Sequence, residues 1–378
     1  MKLNHLKISL VILPAIAVAF AVVLFNGCKK ENLESNKETV ENVLSDSTQN
    51  KEDLLSVICV GDMMLGSNYP TTASLPPDDG KFLLSDVESV LRDADITCGN
   101  LEGTLLDKGG IPKKCGGNSS ANCISFRMPE HYAGYLQGAG FDFMNLANNH
   151  SGDMGAAGRE KTAEVLEGYN IKFAGTFDYP IASFEVNGLK VGFAGFAPNV
   201  GTLSIHNLEK AAGIVEDLKK ENDIVIVAFH GGAEGSGAQR VPKRGETYLG
   251  ENRGDVYKFA HTVIDAGADL VYGHGPHVTR ALELYNNKLI AYSLGNFCTY
   301  GKFGLAGALG LAPILKVYMD KSGNFVRGEI ISIKQIKRGI PVIDDDKRVI
   351  RIIRNLTQTD FPDTQIDIDD DGIISLIN

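Results

Sequence analysis

The stretch FDFMNLANNH (residues 141–150) starts as an apolar run and ends in two asparagines and a histidine. Its apolar half is typical of a buried strand, whereas Asn148, Asn149 and His150 are poor residues for continuing one. A turn is one interpretation, because asparagine and the serine and glycine that follow are turn formers. The other is a strand end that presents oxygen and nitrogen atoms to a ligand. The choice depends on whether the pattern recurs along the chain.

Four further apolar runs end in polar residues in the same way: LLSVICVGDMML (54–65), ADITCGNLEG (94–103), DIVIVAFHGG (223–232) and ADLVYGHG (268–275). Each run is typical of a strand that is buried on both faces. Segments with helical spacing lie among these runs, at 83–94, 130–140, 158–170 and 255–267. This alternation of strands and helices predicts an α/β fold.

Two segments have the pattern of antiparallel hairpins, FEVNGLKVGFAGF (184–196) and LELYNNKLIAYSLGN (282–296). Each places Asn-Gly or Asn-Asn between two β-rich runs. A further strand pair at 313–336 predicts that the domain ends at about Lys337. We therefore expect one domain over 54–337, built from two packed mixed sheets with helices outside, and a C-terminal extension over 338–378.

The polar strand ends share a chemistry that suits a metal ion. In open α/β sheets the carboxyl ends of the strands converge on one crevice, so these side chains are expected to meet there. Carboxylate and amide oxygens together with imidazoles suit Zn, Mn or Fe. Any one of them alone is more simply a turn residue or a hydrogen-bonded histidine. Their recurrence predicts a joint metal site. The residues are Asp62, Asn100, Glu102, Asn149, His150, His230, His274 and His277.

The N-terminal 28 residues have the pattern of an export signal. Lys2 and Lys7 precede an apolar run at 8–25, and Cys28 follows Gly27. A basic start, an apolar centre and a small residue before the cut are typical of a secretory signal. The cysteine resembles the lipobox of bacterial lipoproteins, so Cys28 is the predicted lipidation site, although the run could also remain as a membrane anchor. Residues 29–53 are polar and predict a flexible tether. We expect the rest of the chain to lie in the cell envelope, outside the cytoplasm.

Composition and cysteine usage narrow the classes of function. The chain has 378 residues, 43% of them hydrophobic, which is enough for a large core. Its formal net charge of −10 argues against general nucleic-acid binding. Cys115 and Cys123 lie in a Gly/Ser/Asn-rich loop, and in an exported chain they predict a disulfide. The remaining cysteines lie in apolar segments and are expected to be small buried residues: Cys59, Cys98 and Cys298.

Two charged segments each allow two interpretations. The Gly-rich connection 233–255 carries four cations, which are either a solvated surface or a rim that binds an anionic polymer. They are Arg240, Lys243, Arg244 and Arg253. Near the C-terminus, Asp367, Asp369 and Asp371 match the first half of a calcium loop. An Asp-Gly turn between two short strands explains that segment with fewer assumptions.

The motifs together resemble the CapA-type capsule and poly-γ-glutamate synthesis proteins, relatives of the calcineurin-like metallophosphoesterases. The resemblance covers about 54–337 in unbroken order, and it implies a four-layer α/β/β/α sandwich with the site at the strand ends. The motifs are GDMMLG (61–66), GNLEGTL (99–105), FRMPEHYAGYLQGAGFDFMNLANNH (126–150), FHGGAE (229–234), DAGADLVYGHGPHV (265–278) and AYSLGNF (291–297).

The resemblance also implies roles for single residues. His150 would be the catalytic acid, and Asn100, Glu234 and Asn296 are candidates for binding the metal or contacting its ligands. The implied metal ligands are Asp62, Glu102, Asn149, His230, His274 and His277. Phosphoesterases open with Asp-x-His where this chain has Asp62-Met63-Met64, and they space the last two histidines by two residues rather than three. One divalent ion, or two of which one is weak, is therefore expected.

These observations predict an envelope-anchored, metal-dependent hydrolase or transferase acting on an anionic envelope polymer such as poly-γ-glutamate. Its expected partners are that polymer, the membrane through the lipid anchor, and a polymer synthesis or export complex. The alternative is a non-catalytic subunit that binds or guides polymer, which the missing Asp-x-His histidine favours. A calcium-binding adhesion module depends on the C-terminal tail alone.

Overall fold

The computed structural model describes residues 54–114 and 124–377, and two β-sheets form its centre. Cys28, Cys115 and Cys123 lie outside these residues, so the lipidation and the disulfide remain predictions. In the described ranges, no helix is both long and apolar enough to span a membrane.

The strands are short to medium in length, and most follow the apolar runs of the sequence. In chain order they are β1 (Leu55–Met64), β2 (Ile96–Leu101), β3 (Thr104–Leu105), β4 (Arg127–Met128), β5 (Phe143–Asn145), β6 (Lys172–Ala174), β7 (Ile181–Val186), β8 (Leu189–Phe196), β9 (Ile224–His230), β10 (Glu246–Tyr248), β11 (Glu251–Gly254), β12 (Leu270–His274), β13 (Leu282–Tyr285), β14 (Lys288–Ala291), β15 (Asn296–Thr299), β16 (Leu311–Met319), β17 (Phe325–Ile336), β18 (Ile340–Ile343), β19 (Ile366–Ile368) and β20 (Ile373–Leu376).

The α-helices lie among these strands, and four of them overlap the predicted helical segments, although the first is much shorter than the pattern at 83–94; the helices at Leu208–Glu221 and Arg348–Asp360 were not predicted. They are α1 (Glu88–Leu91), α2 (Tyr132–Gly138), α3 (Gly155–Gly168), α4 (Leu208–Glu221), α5 (Val256–Asp265) and α6 (Arg348–Asp360). Two short 3-10 turns occupy Pro77–Gly80 and Gly307–Gly310.

The larger sheet has ten strands, with the main order β19-β20-β17-β16-β1-β2-β5-β6. Strand β15 pairs with β1 and β18 pairs with β17. The β1-β2-β5-β6 half is parallel, whereas β16 and β17 are antiparallel to their neighbours. The smaller sheet has the order β13-β14-β12-β9-β8-β7. Its β7-β8 and β13-β14 pairs are the two hairpins predicted from Asn-Gly and Asn-Asn.

Three apolar clusters fill the spaces between four layers. The central cluster lies between the sheets, where the rings of Phe143 on β5 and Phe193 on β8 stack at 4.2 Å. A second cluster packs α1, α2 and α3 against the larger sheet, and a third packs α4 and α5 against the smaller one. The fold is therefore the expected α/β/β/α sandwich. Cys59, Cys98 and Cys298 are free and buried, which confirms their predicted role as small core residues.

The sheet continues past the predicted domain end at Lys337. Strands β18 and β20 both pair with β17, and β19 pairs with β20. Helix α6 places Val349, Ile350 and Ile353 in the central cluster, because these residues lie on one face at helical spacing. The C-terminal segment is part of the same core.

The Asp-rich tail forms the turn between β19 and β20. Asp369 Oδ1 accepts hydrogen bonds from the amides of Asp371 and Ile373, each at 2.9 Å, and Gly372 has a φ of 90°. Asp371 also pairs with Lys347. The turn interpretation of this segment is therefore confirmed.

Candidate metal centre

The register of parallel strands brings the polar strand ends together. Asp62 on β1 lies opposite Asn296 on β15 and Asn100 on β2. In the smaller sheet, His274 on β12 lies opposite His230 on β9. Because parallel strands end at the same edge, both sheets deliver their ligand-type residues to one place, as the sequence predicts.

Asp62 lies at the centre of the cluster. Its Oδ1 accepts a 2.8 Å hydrogen bond from Asn100 Nδ2 and lies 3.3 Å from His274 Nδ1, and its Oδ2 lies 2.9 Å from His277 Nδ1. Burial opposes ionisation, but the contacts with His274 and His277 outweigh it and hold the pKa of Asp62 well below its ordinary value. Gly61, which precedes Asp62, lets the backbone pass close to Gly295, because a Cβ at position 61 would lie 2.0 Å from Gly295 O. Asp62 is therefore a buried carboxylate anion.

His277 connects Asp62 to Glu102. His277 Nδ1 also lies 3.0 Å from Asn296 Oδ1, and its Nε2 lies 3.8 Å from Glu102 Oε1. The residue has a left-handed backbone with a φ of 59°, a strained conformation that is frequent at functional sites. Burial lowers its pKa, but Glu102 and Asp62 together raise it to about 10. The imidazole therefore lies where a positive charge is strongly favoured.

Several buried atoms of the cluster have no hydrogen-bond partner within the described residues. Such atoms are costly unless a ligand binds them. Burial and the neighbouring Asp62 charge raise the pKa of Glu102 well above its ordinary value. Ligand atoms of Asp62, Glu102 and His277 lie within 4.8 Å of one another, close enough to share one cation. The atoms without partners are Glu102 Oε1 and Oε2, Asn149 Oδ1, His230 Nδ1, and His274 Nδ1 and Nε2.

His150 lies beside this group and is oriented by a residue that we did not predict. Its Nδ1 is 2.7 Å from Asp153 Oδ2, its ring stacks on Phe126 at 4.1 Å, and its Nε2 lies 3.9 Å from Glu102 Oε1. Asp153 also accepts a 2.5 Å hydrogen bond from the Phe126 amide and pairs with Lys113 at 2.6 Å. We assign the Nδ1 proton to the bond with Asp153, which directs Nε2 toward the cluster. Burial lowers the pKa of His150 despite Asp153.

Arg253 belongs to this centre and not to a solvated rim. Its side chain is 2% exposed, its Nη1 lies 2.7 Å from Glu234 Oε1, and its Nη2 lies 3.4 Å from His230 Nε2. Glu234 Oε2 in turn lies 3.9 Å from His277 Nε2. The solvated-surface interpretation of the 233–255 loop is therefore wrong for Arg253, because the Gly232 amide after β9 binds Arg253 O on β11 and the side chain is buried. Polymer binding by Arg253 stays a prediction.

The other predicted rim cations have contacts elsewhere. Arg240 pairs with Asp360 at the end of α6, and Lys243 lies over the rings of Tyr257 and Phe361. Arg244 is exposed. A small pocket is lined by Gly103, Leu146, Ser151, Arg159, Thr162, Thr176 and Tyr179.

Similarity to solved structures is present but low. The putative 5'-nucleotidase of Staphylococcus aureus, solved with alpha-ketoglutarate, shows a TM-score of 0.42 and 16% identity, covering 79% of this chain and 57% of that one. The 5'-nucleotidase precursor of Thermus thermophilus shows a TM-score of 0.39 and 14% identity, covering 74% of this chain and 54% of that one.

Sequence similarity to curated proteins is more informative. The capsule biosynthesis protein CapA of Bacillus anthracis is 28% identical over 266 residues, covering 65% of this chain and 60% of that protein. The PGA biosynthesis protein CapA of Bacillus subtilis is 28% identical over 262 residues, covering 65% of this chain and 63% of that protein. The chain thus spans about three fifths of the length of these relatives. Since the family model "Bacterial capsule synthesis protein PGA_cap" matches residues 56–300, this chain belongs to that family.

Proposed function

We propose that this chain is a metal-dependent hydrolase or transferase that acts on an anionic envelope polymer during capsule or poly-γ-glutamate synthesis. The observation that carries the proposal is the buried group of Asp62, Glu102 and His277, whose ligand atoms converge and of which Glu102 has no hydrogen-bond partner within the described residues. A buried carboxylate is costly without a compensating cation. These residues therefore suit a resident divalent ion.

The donor set indicates which ion suits the site. Two carboxylates and an imidazole are ligands that Zn, Mn and Fe accept, and Asn149, whose buried Oδ1 has no hydrogen-bond partner in the described part of the chain, would add a carbonyl oxygen. A divalent ion held there would supply Lewis acidity to a phosphoryl or carbonyl oxygen of the substrate. The surrounding glycines and parallel strand ends give these side chains a rigid scaffold.

The chain itself supplies proton transfer and substrate recognition. As the imidazolium, protonated on both nitrogens, His150 would give its Nε2 proton to the leaving group, and Asp153 would orient the ring and stabilise its charge. Arg159, which is partly exposed and lies 3.8 Å from Asp178, would offer its guanidinium to a carboxylate or phosphate of the polymer.

The proposed location is the outer face of a bacterial membrane. Lipidation at Cys28 would anchor the chain through the tether at 29–53, close to a polymer synthesis or export complex. The relatives are named for capsule and PGA biosynthesis, which supports an envelope polymer as the substrate.

A non-catalytic, polymer-binding subunit is the second candidate. Position 64, where phosphoesterases carry the histidine of Asp-x-His, is a methionine with 0% exposure that packs in the core beside α1 and α2. The centre thus lacks one ligand of the catalytic relatives, and this observation favours binding over turnover.

The test combines metal analysis with a hydrolysis assay on the purified protein. We expect bound divalent metal in the wild type and turnover of a generic phosphodiester or of poly-γ-glutamate. Glu102→Gln should lose metal, because it removes a ligand charge. His150→Ala should keep the metal and lose roughly 10²–10⁴ fold in rate, the usual worth of a general acid. His206→Ala, an exposed histidine, is the matched control and should change neither.

Different outcomes separate the two candidates. Metal without turnover on either substrate would favour the binding subunit. A wild-type protein free of metal after purification and after reconstitution would contradict both the metal-dependent mechanism and the ligand assignments.

A further inference from the structure

A permanently charged side chain is buried inside the metal centre. Arg253 lies between His230, at 3.4 Å, and Glu234, at 2.7 Å, and its Nε has no hydrogen-bond partner within the described residues. A guanidinium remains protonated in proteins and cannot act as a metal ligand. The contact therefore places a fixed positive charge against a histidine expected to bind metal.

The backbone holds Arg253 in this position. The Gly232 amide, just after β9, donates a 2.9 Å hydrogen bond to Arg253 O. A side chain at Gly231 would place its Cβ 3.0 Å from the same oxygen, so the two segments pack closely. Strand β11, which contains Arg253, is also held in place by its antiparallel pairing with β10. The placement of Arg253 is thus a feature of the fold and not of a mobile surface loop.

The charges of the centre balance with one divalent ion. Three buried or nearly buried carboxylates face it, from Asp62, Glu102 and Glu234. Arg253, paired with Glu234 at 2.7 Å, offsets one of these charges and leaves the carboxylates of Asp62 and Glu102 to a bound cation. A single divalent ion neutralises that remainder, whereas two such ions beside Arg253 would leave the buried centre with an excess positive charge.

The geometry of the ligands agrees with this count. The atoms close enough to share a cation belong to Asp62, Glu102 and His277, and the set does not include His230. His230 Nε2 instead lies 3.4 Å from Nη2 of the Arg253 guanidinium. One nitrogen of His230 therefore faces a fixed cation.

We propose that Arg253 supplies the second positive charge of the centre, so that the chain binds one divalent ion, at Asp62, Glu102 and His277, and His230 contacts Arg253 in place of a second ion. The proposal rests on the metal-dependent function proposed above.

The test counts metal ions per chain after saturation with Mn²⁺ and removal of the excess. We expect one ion in the wild type and one in Arg253→Lys, which keeps the charge. In Arg253→Met, which removes the charge at similar length, His230 and Glu234 are released and the count should rise to two. Arg240→Met, in the same loop but paired with Asp360, is the matched control and should bind one ion.

Electron paramagnetic resonance of the Mn²⁺-loaded wild type tests the proposal without any variant, should Arg253→Met not fold. The spectrum of isolated Mn²⁺ ions is expected. A spectrum of exchange-coupled pairs, two ions per wild-type chain, or a folded Arg253→Met that still binds one ion would each overturn the role of Arg253 and leave the proposed function intact. A wild type that binds no ion would overturn both.

Discussion

The polar residues at the end of the stretch 141–150 contribute to a turn and to the candidate site. Asn148 Nδ2 donates to Asn100 Oδ1 at 3.1 Å and to Leu101 O at 2.9 Å, and its Oδ1 accepts from the His150 amide at 3.0 Å. Asn149 Oδ1 is buried without such a partner in the described part of the chain. Asn148 therefore builds the turn, and His150 Nε2 lies 3.9 Å from Glu102 Oε1. The turn interpretation is confirmed for Asn148, whereas the role of Asn149 as a metal ligand stays a prediction.

The contact between Asp153 and His150 was not predicted from the sequence. Asp153 lies three residues after His150, in the glycine-containing turn that follows the strand. The turn brings its carboxylate to the ring, and the Phe126 amide and Lys113 hold it there. An aspartate shortly after a candidate catalytic histidine is a signal that could have been used, although only the turn geometry shows that the two side chains meet.

We predict that Asp153→Asn lowers kcat by about 10–100 fold, the usual effect of losing a residue that orients a site histidine. The amide has the same shape but no negative charge, so the His150 tautomer is no longer fixed. KM and metal content should stay unchanged, because Asp153 is outside the cation group. Steady-state kinetics and metal analysis measure these quantities, and Asp217→Asn, on the exposed side of α4, is the control. Loss of metal together with activity would make Asp153 a structural part of the cation site instead.

Strands and hairpins were the most predictable elements. All five apolar runs ending in polar residues are strands, because residues buried on both faces leave a continuous apolar signal. Their lengths were less predictable: β5 covers only Phe143–Asn145 of the ten-residue run. Helix α6 was not predicted, although its apolar residues recur at helical spacing, because the neighbouring acidic stretches obscured its start.

Asp344 explains how α6 begins. Its Oδ2 accepts a 3.1 Å hydrogen bond from the Arg348 amide, and its two oxygens pair with the Arg348 guanidinium at 3.0 and 2.9 Å. The Asp344 amide also donates to Ser332 O on β17 at 2.8 Å. Burial raises the pKa of Asp344, but the bonds to Arg348 outweigh it and lower the pKa from 3.8 to about 2. The residue thus joins the helix start to the sheet.

We predict that Asp344→Asn destabilises the protein by about 1–3 kcal/mol near neutral pH, because the amide keeps an acceptor for the Arg348 amide but loses the charge that pairs with the guanidinium. A carboxylate with a lowered folded-state pKa stabilises the fold above its ordinary pKa and loses that contribution as the pH falls. The difference between wild type and variant should therefore be largest above pH 3.8 and shrink toward pH 2. Urea unfolding across this range measures it. A difference that is independent of pH would show that the Asp344 charge is not involved.

At the scale of the whole molecule, the candidate metal centre is built from the strand ends of two different sheets. Asp62, Asn100 and Glu102 come from the end of the larger sheet, whereas His230 and His274 come from the smaller one. That convergence could be predicted from the recurring strand ends. The position of Arg253 could not, since it depends on how the 233–255 loop folds back against Gly232, a long-range contact that no local pattern encodes. For the same reason the domain end at Lys337 was placed too early.

Anomalous diffraction from a crystal of the protein grown with Mn²⁺ or Zn²⁺ would test most directly whether the two sheets build a metal centre. We predict one anomalous peak within coordination distance of the carboxylates of Asp62 and Glu102 and of the His277 imidazole. Glu102→Gln crystals, grown in the same way, should show a much weaker peak. A map without a peak at these three residues, in crystals shown to contain the metal, would contradict the assignment of this site.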